Sequence, residues 1–459
     1  MTKPIYATAA SAPSGAALSR RGFLKGASTL GVAAGLTGTG LLTACGSSGS
    51  ASSGAGSDLI QMHHDAAVGP LFAPYVKYFN TNYKPLHMNT SYVANDYAPV
   101  TNQQLAAGDA TYDVLFSDEG YLESWSKNGW VKQLTGMKGL SKLLANLNPG
   151  VADALKGGDG QITALPYFRG AEIFVVNTQH LDKIKAKPPT TWEEFLSQAR
   201  ELKAKGIAET PYSPYWINYA FLMWHQFAAE AASEGDGKLF DAKAAPQMVN
   251  NSAAASTLQR WRMMYQEGLV PKDVFTTDYG GVTNIFAGGK SSFSMRYQAQ
   301  VVGWRDPSQS RAAPYVKNII IPGSTGTTHS FGAYWMMAAS TKNPDAAWTA
   351  LNYLGGAGKD GAYYVPKHLV AITLGLSSGY ASVDSDPDVL KSWAKWADVP
   401  VLRQQLANAV SLGPVVNQTW YPKFATQACA TLQQIVIGQT SVSAGLKALS
   451  AAATSAATS

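Results

Sequence analysis

The sequence TALPYFRGAEIFVVNTQHLDKIKAKPPTTWEEF, residues 163–195, has the order of features expected for a strand followed by a helix. Glu172–Asn177 is a short, mostly apolar run, which is typical of a buried strand. Two prolines precede Thr191, and Thr191 with Glu194 three residues later forms a capping-box pattern. A helix is therefore expected to begin after Thr191, and this part of the chain predicts one strand–helix unit.

The same alternation continues on both sides. Residues 86–93 alternate with a period of two, Tyr112–Phe116 is a further apolar run, and Ser252–Gly268 has large apolar residues at helical spacing. Strands that alternate with helices favour an α/β fold in which ligands sit at the carboxyl ends of strands. A chain of 459 residues exceeds the ~250–300 residues that one core usually holds, so two lobes are expected.

The first 45 residues have the features of an export signal. Residues 19–25 read SRRGFLK, a weakly apolar run follows, and LTAC ends at Cys45. SRRGFLK resembles a twin-arginine signal with Arg20 and Arg21 as the pair, and LTAC resembles a bacterial lipobox in which Cys45 receives a diacylglycerol. The run contains five glycines, which disfavour the alternative of a short membrane-spanning helix. We therefore expect residues 1–45 to be a lipoprotein signal peptide.

Composition limits the remaining possibilities. Residues 46–57 contain only Gly, Ser and Ala and predict a flexible linker, and residues 450–459 predict a flexible tail. Four of the six net positive charges lie before Cys45, so the body has a net charge of only +2 and no electrostatic footprint for nucleic acid. The one other cysteine, Cys429, lies in an apolar helical run and is expected to be buried. We expect no metal and no cofactor.

The residues around 163–195 resemble bacterial extracellular solute-binding proteins of the maltose-binding type. Asn177, Leu181 and Lys183 match the family's pattern after its strand, and Pro188 to Glu194 matches its Pro-Pro-x-Thr-Trp-Glu-Glu run. Val176 stands where the family usually has Tyr. Further matches follow in the same order and extend the resemblance over about 58–449; they lie at 112–116, 284–295, 331–340 and 343–348.

This resemblance implies a two-lobed, type II periplasmic-binding-protein-like fold. It has two mixed or parallel sheets flanked by helices and a ligand cleft between the lobes. By position, one lobe would comprise 58–167 plus 322–372 and the other 168–321 plus 373–449. Closure of the lobes around a ligand is the hinge mechanism of such proteins.

Aromatic residues are concentrated where the family binds sugar. Residues 212–227 hold seven of them: Tyr212, Tyr215, Trp216, Tyr219, Phe221, Trp224 and Phe227. Aromatic rings suit the apolar faces of sugars, but the same spacing also suits a core helix. The core explanation is preferred for Phe221, Trp224 and Phe227. For Tyr215, which matches a sugar-stacking Tyr of the family, and for Trp216, ligand contact and core packing both stay open.

Polar candidates follow the predicted strands. Asp118 and Glu119 come after the strand that ends at Phe116, where the family places an acidic acceptor for sugar hydroxyls, although a solvated helix start is the alternative. Asp65 ends the first strand. Arg169 lies beside Gly170, the position at which some relatives carry a ligand-binding Glu. Trp420 matches a late aromatic residue of the family at the cleft, and Arg296, which follows a strand, is a weaker ligand-binding candidate.

The resemblance implies a binding protein rather than an enzyme. It would capture a mono- or oligosaccharide as a monomer and deliver it to the permease subunits of an ABC importer, with a lipid anchor on the extracytoplasmic face of the cell membrane. Two alternatives stay open, an exported glycoside hydrolase and a ligand-sensing surface protein of the same fold. A hydrolase would need two carboxylates ~5–9 Å apart. Gly375–Gly379 fits G-x-S-x-G, but the last histidine, His368, precedes it, which excludes the hydrolase order of that motif.

Overall fold

A computed structural model describes residues 58–65, 69–93, 97–108, 111–157, 160–235 and 237–458. The predictions for Arg20, Arg21, Cys45 and the linker lie outside these residues. Among the described residues, no helix combines the length and the hydropathy that a membrane span requires.

Strands and helices alternate along the described chain. The strands are β1 (Leu59–Asp65), β2 (His87–Val93), β3 (Val114–Asp118), β4 (Ala164–Asn177), β5 (Phe293–Tyr297), β6 (Val316–Ile319), β7 (Thr328–Met337) and β8 (Ala409–Val410). The helices of the first half are α1 (Ala73–Asn82), α2 (Tyr97–Ala106), α3 (Leu122–Lys127), α4 (Leu140–Ala145), α5 (Thr178–Lys183), α6 (Trp192–Ala204), α7 (His225–Ala232) and α8 (Ser252–Gln266). Those of the second half are α9 (Tyr279–Ala287), α10 (Gln298–Trp304), α11 (Pro344–Gly355), α12 (Ala381–Asp384), α13 (Pro387–Trp393), α14 (Val399–Ala407), α15 (Tyr421–Val436) and α16 (Val442–Thr458).

The strands form a curled, mixed sheet with the order β2-β1-β3-β7-β4-β5, in which β6 also pairs with β4 and β8 with β7. β1 pairs in parallel with β2 and β3, whereas β7 is antiparallel to β3 and β4. β4 pairs with two groups of strands. Its residues Ala164–Ala171 pair with β7, and Glu172–Asn177 pair with β5 and β6. β4 therefore passes from one half of the fold to the other near residue 171.

Two large hydrophobic cores pack on opposite faces of the second part of β4, since Ile173 and Val175 belong to the first core and Phe174 and Val176 to the second. The first core surrounds β1, β3, β7 and α11 and includes Phe116, Trp125 and Trp335. The second core surrounds α6, α8, α15 and α16 and includes Phe195 and Trp261. The fold class predicted from the sequence is confirmed. The first core also includes residues 376–402, beyond the predicted boundary at 372, so the exact lobe limits stay a prediction.

The local sequence patterns explain the element boundaries. The Thr191 hydroxyl accepts a hydrogen bond from the Glu194 N–H (3.1 Å), and the Glu194 carboxylate accepts one from the Thr191 N–H (3.4 Å), so the predicted capping box starts α6. The predicted strand at Glu172–Asn177 is the second part of the longer β4. Cys429 lies buried in α15, as expected, and is a free thiol.

The predicted flexible tail is a helix in the structure. Residues 450–458 continue α16 to Thr458, and Ala453 is fully buried in the second core beside Leu449. Alanine has the highest helix propensity, and the apolar side of this alanine-rich segment packs against the core. The prediction of a flexible tail was therefore wrong, because this segment is rich in alanine, which favours a helix, and has none of the glycine that favours a flexible chain.

Candidate ligand-binding cleft

A cleft of about 960 Å³ lies beside β4 and β7, and it is also lined by Glu119 and by residues from the segments 148–154, 377–385 and 403–417. Its lining includes both charged and small polar side chains. Those used below are Glu119, Asn148, Arg169, Ser330, Tyr334, Ser377, Asp384, Arg403 and Ser411. Pockets for small ligands commonly have this size and combine apolar walls with a few placed polar groups.

Glu119 lies at one end of this cleft, directly after β3, and its side chain is buried. Its backbone N–H donates to the Gly332 carbonyl (3.1 Å), and its Oε1 accepts a hydrogen bond from the Ser411 hydroxyl (3.2 Å). Its Oε2 lies 3.7 Å from Arg169 Nη1 and has no hydrogen-bond partner among the described residues. Burial raises the pKa of Glu119 above its usual range, although Arg169 acts in the opposite direction. Desolvation thus outweighs this incompletely formed ion pair.

Arg169 faces Glu119 from β4. Its Nη2 donates to the Ser330 hydroxyl (2.5 Å) and its Nη1 to the Tyr334 hydroxyl (3.3 Å), and both partners lie on β7. Its backbone N–H donates to the Ser377 carbonyl (2.8 Å). The guanidinium is therefore held in one plane beside an acidic acceptor, which is an arrangement suited to hydroxyl or carboxylate groups of a ligand.

Two glycines make room for these side chains. A Cβ on Gly332, which is opposite Arg169 in the strand register, would lie 2.7 Å from Arg169 Nη1. A Cβ on Gly170 would lie 2.4 Å from Phe331 Cζ, because the Phe331 ring covers this position. The space that a glutamate would need at Gly170 is thus filled by Phe331.

A second polar group in the cleft is centred on Asp384, which the sequence did not indicate. Its carboxylate accepts hydrogen bonds from the hydroxyls of Ser377 and Ser378, from the Ser378 N–H and from Asn148 Nδ2. Burial raises its pKa, and these hydrogen bonds lower it. The signal in the sequence is the Gly375–Gly379 turn, whose serines bond Asp384 and serve no catalytic motif.

Arg403 is a further side chain that the sequence did not indicate. It is an exposed residue of α14 at the cleft wall, and no feature near it resembled a binding motif.

Among the predicted ligand-binding residues whose side chains the structure describes, Glu119 and Arg169 are the two that lie at the cleft wall. Asp118 ends β3 and is half-buried outside the cleft lining. Trp420 is also half-buried outside it and packs against Phe240 and Phe424. Asp65 ends β1, and its side chain lies outside the described part of the structure.

The aromatic candidates are buried elsewhere. Trp216 lies in the second core with its ring 4.8 Å from that of Trp261, so core packing, the alternative left open by the sequence, matches its position. Tyr215 is also buried, and the Arg296 guanidinium lies 3.7 Å above its ring. The Tyr215 hydroxyl receives a hydrogen bond from Gln300 Nε2 (2.5 Å). Arg296 itself is fully buried, so neither residue lines the cleft in this conformation.

Among the described residues, no group of three or more His, Cys, Asp or Glu side chains has an arrangement that could hold a metal ion.

Comparison with known proteins relates this architecture to binding proteins. The chain is 24% identical to the melibiose/raffinose/stachyose-binding protein MelE of Bacillus subtilis (strain 168) over 252 residues, 53% of this chain. That match spans only about half (55%) of the length of the relative.

Solved structures of binding proteins share the fold. Maltose-bound MalE3 of T. maritima superposes with a TM-score of 0.74 at 17% identity, covering 86% of this chain and 99% of that one. A solute-binding protein of Thermotoga lettingae with bound α-D-tagatose gives 0.70 at 15% identity, covering 87% and 100%. The family model for bacterial extracellular solute-binding proteins matches residues 52–360, more than half of the chain. The chain therefore belongs to this family.

Proposed function

We propose that this chain is the substrate-binding component of an ABC importer and that its ligand is a carbohydrate. The observation that carries the proposal is the Glu119–Arg169 pair, an acceptor and a planar donor held 3.7 Å apart at the cleft wall. Sugar hydroxyls both donate and accept hydrogen bonds, so one hydroxyl can bridge these two groups. The sugars named for MelE, for MalE3 and for the Thermotoga lettingae protein support the same ligand class.

The geometry supports binding by hinge closure. β4 and β7 both run past the cleft, and Arg169 on β4 also bonds the loop at Ser377. These three neighbouring segments lie near the proposed boundaries of the lobes, 58–167 plus 322–372 and 168–321 plus 373–449, and support a hinge there. A ligand that contacts both sides would favour the closed state by its differential affinity for that state. The protein would act as a monomer and pass the sugar to the permease, and a separate ATPase would supply the energy.

The remaining sequence-predicted contacts are part of the same proposal. Asp65 and Asp118 end β1 and β3, and Trp420 directly precedes α15. A different degree of closure would bring these residues nearer to a ligand. Tyr215, Trp216 and Arg296 would then support the site from behind rather than line it. The alternative of a glycoside hydrolase gains no specific observation from the cleft.

We propose further that the protein is exported and lipid-anchored through Cys45, with Arg20 and Arg21 in its export signal. The family's extracellular role supports export, and the lipobox pattern supports the anchor. Metabolic labelling with a radioactive fatty acid tests this directly. The wild-type chain should incorporate label and fractionate with membranes, and Cys45→Ala should do neither. Labelling that persists in Cys45→Ala would contradict the anchor.

The ligand proposal is tested by titration calorimetry and thermal unfolding of the chain with melibiose, raffinose, maltose and tagatose. A true ligand present at 100 times its dissociation constant should raise the free energy of unfolding by about 2.7 kcal/mol. Recovery of the sugar unchanged after incubation distinguishes binding from hydrolysis. If none of these or related sugars binds, the carbohydrate proposal fails.

A further inference from the structure

The turn after β3 is joined to the segment after β8 by a side-chain hydrogen bond. Glu119 lies in this turn; its N–H donates to the Gly332 carbonyl of β7, and Leu122 just after it is a first-core residue. Ser411, whose hydroxyl donates to Glu119 Oε1 (3.2 Å), directly follows β8, which pairs with β7, and precedes a short helical turn whose residues Val415 and Val416 lie in the second core. This bond therefore links the turn after β3 to the point where the chain leaves the sheet for the second core.

Gly120, the next residue, lies beside the same segment. Its φ is +103°, in the region that favours glycine. A Cβ at this position would lie 3.5 Å from the Val416 carbonyl oxygen, 3.7 Å from Pro422 Cγ and 4.0 Å from Tyr421 Cδ1. These are ordinary van der Waals distances, so the backbone conformation, rather than a lack of space, favours glycine here.

We propose that Ser411 and Gly120 are positioning residues that couple closure of the cleft to ligand binding. Ser411 occupies Oε1 of Glu119 and thereby orients the carboxylate, which leaves Oε2 buried beside Arg169 with no hydrogen-bond partner among the described residues. Gly120 supplies the positive φ with which the turn brings Glu119 within reach of Ser411. The orientation of Glu119 and the docking of residues 411–422 are then one equilibrium, and a ligand hydroxyl that enters beside Arg169 and satisfies Oε2 shifts it toward the docked state. This inference takes its ligand from the proposed function, but the hydrogen–deuterium exchange experiment that tests it needs no ligand.

Hydrogen–deuterium exchange of the ligand-free full-length chain tests the docking. In the wild type, the amides of 116–122 and of 411–422 should be protected together. Ser411→Ala should speed exchange in both segments by about tenfold, the effect expected for loss of one hydrogen bond to a carboxylate. Ser411→Thr, which keeps the hydroxyl, should restore the protection. Loss of a merely local contact would change only the segment that contains the substitution.

The role of Gly120 is tested by comparing two glycine-to-alanine variants. Gly120→Ala and Gly129→Ala both place a methyl group on a residue with positive φ, at opposite ends of α3, but a Cβ on Gly129 would have no atom within 4 Å. Gly120→Ala should deprotect residues 411–422, and Gly129→Ala should not. If both substitutions, or neither, change exchange in that segment, the proposed role of Gly120 is wrong.

Sugar titration then links docking to affinity. Whichever sugar of the panel binds the wild type should bind Ser411→Ala about tenfold more weakly, and Ser411→Thr should recover most of the affinity. Equal exchange in the wild type and Ser411→Ala overturns this inference even when sugar binds. The converse result, coupled exchange without any sugar binding, overturns the proposed function and leaves the docking in place.

Discussion

The imidazole rings of His225 and His329 stack on each other in the protein interior, with centroids 4.2 Å apart and planes inclined by 23°. His225 begins α7, and His329 lies on β7 next to the cleft residue Ser330. The His225 Nδ1 lies 3.2 Å from the Tyr297 hydroxyl, whereas neither ring nitrogen of His329 has a hydrogen-bond partner among the described residues. Burial lowers the pKa of His225 to about 3 and that of His329 well below its usual range.

This stack predicts that the protein loses stability in mild acid. In the unfolded chain both histidines bind a proton near pH ~6.5, but in the folded protein they stay neutral. The unfolded state therefore binds more protons below pH ~6.5, and its free energy falls by up to about 1.4 kcal/mol per histidine for each pH unit. For His225 this loss continues down to a pH of about 3. Three buried carboxyls with raised pKa oppose it, because they take up protons in the folded state first: Glu119, Glu172 and Asp384.

His329→Phe separates the histidine contribution from that of the carboxyls. A phenyl ring keeps the stack on His225 and removes no hydrogen bond. The free energy of unfolding of the variant at pH 7.5 should therefore be equal to that of the wild type or higher. Between pH 6 and 4.5 the variant should be more stable than the wild type, with a pH slope smaller by about one proton. Urea unfolding over this pH range measures it, with His87→Phe on the exposed side of β2 as control. Parallel pH profiles for wild type and His329→Phe would contradict the assignment.

Much of this fold follows from local sequence. The Thr191–Glu194 capping box starts α6 as predicted, because a cap depends only on residues within one turn. The full extent of β4 was not predictable, since its two halves pair with strands more than a hundred residues later in the chain. The tail from residue 450 was misjudged because its contact with the second core is likewise non-local.

The same distinction applies to the site. Glu119 and Arg169 could be found because they lie on or directly after strands, where the topology of α/β sheets places ligands. Asp384 ends α12 and Ser411 follows β8, both far along the chain from Glu119 and Arg169, and no local pattern marks them. Trp216 was ambiguous because the same indole suits a sugar face and a core, and only its neighbours decide between them.

Glu119→Gln should weaken sugar binding without unfolding the protein. The carboxamide still offers an acceptor to Ser411, and the substitution removes a desolvated carboxyl, so stability at neutral pH should be equal or slightly higher. Loss of a charged hydrogen-bond partner for the ligand should raise the dissociation constant about tenfold or more. Calorimetric titration measures this effect. Glu193→Gln, at an exposed position of α6, is the control and should bind sugar as the wild type does.

Gly170 and Phe331 should be energetically coupled. Gly170→Ala places a methyl group 2.4 Å from the Phe331 ring and should destabilise the protein by about 1–3 kcal/mol through overpacking. In a Phe331→Leu background the smaller side chain leaves space, so the same substitution should cost less. A double-mutant cycle from urea unfolding measures the coupling, which should be at least about 0.5 kcal/mol. Additive effects would show that Phe331 is not what keeps this position small.

Substitution of Trp216 distinguishes its two possible roles. The indole is fully buried against Trp261, and its Nε1 has no hydrogen-bond partner among the described residues, so Trp216→Ala should cost about 3–5 kcal/mol of stability through the cavity it leaves. Trp216→Phe keeps most of the packing and should lose less stability. Because the ring lies outside the cleft lining, Trp216→Phe should bind sugar within about twofold of the wild type, whereas Arg169→Lys loses the planar contact and should bind about tenfold more weakly. The opposite pattern, intact stability with lost affinity in Trp216→Phe, would mean that the indole reaches the sugar in a conformation more closed or more open than this one.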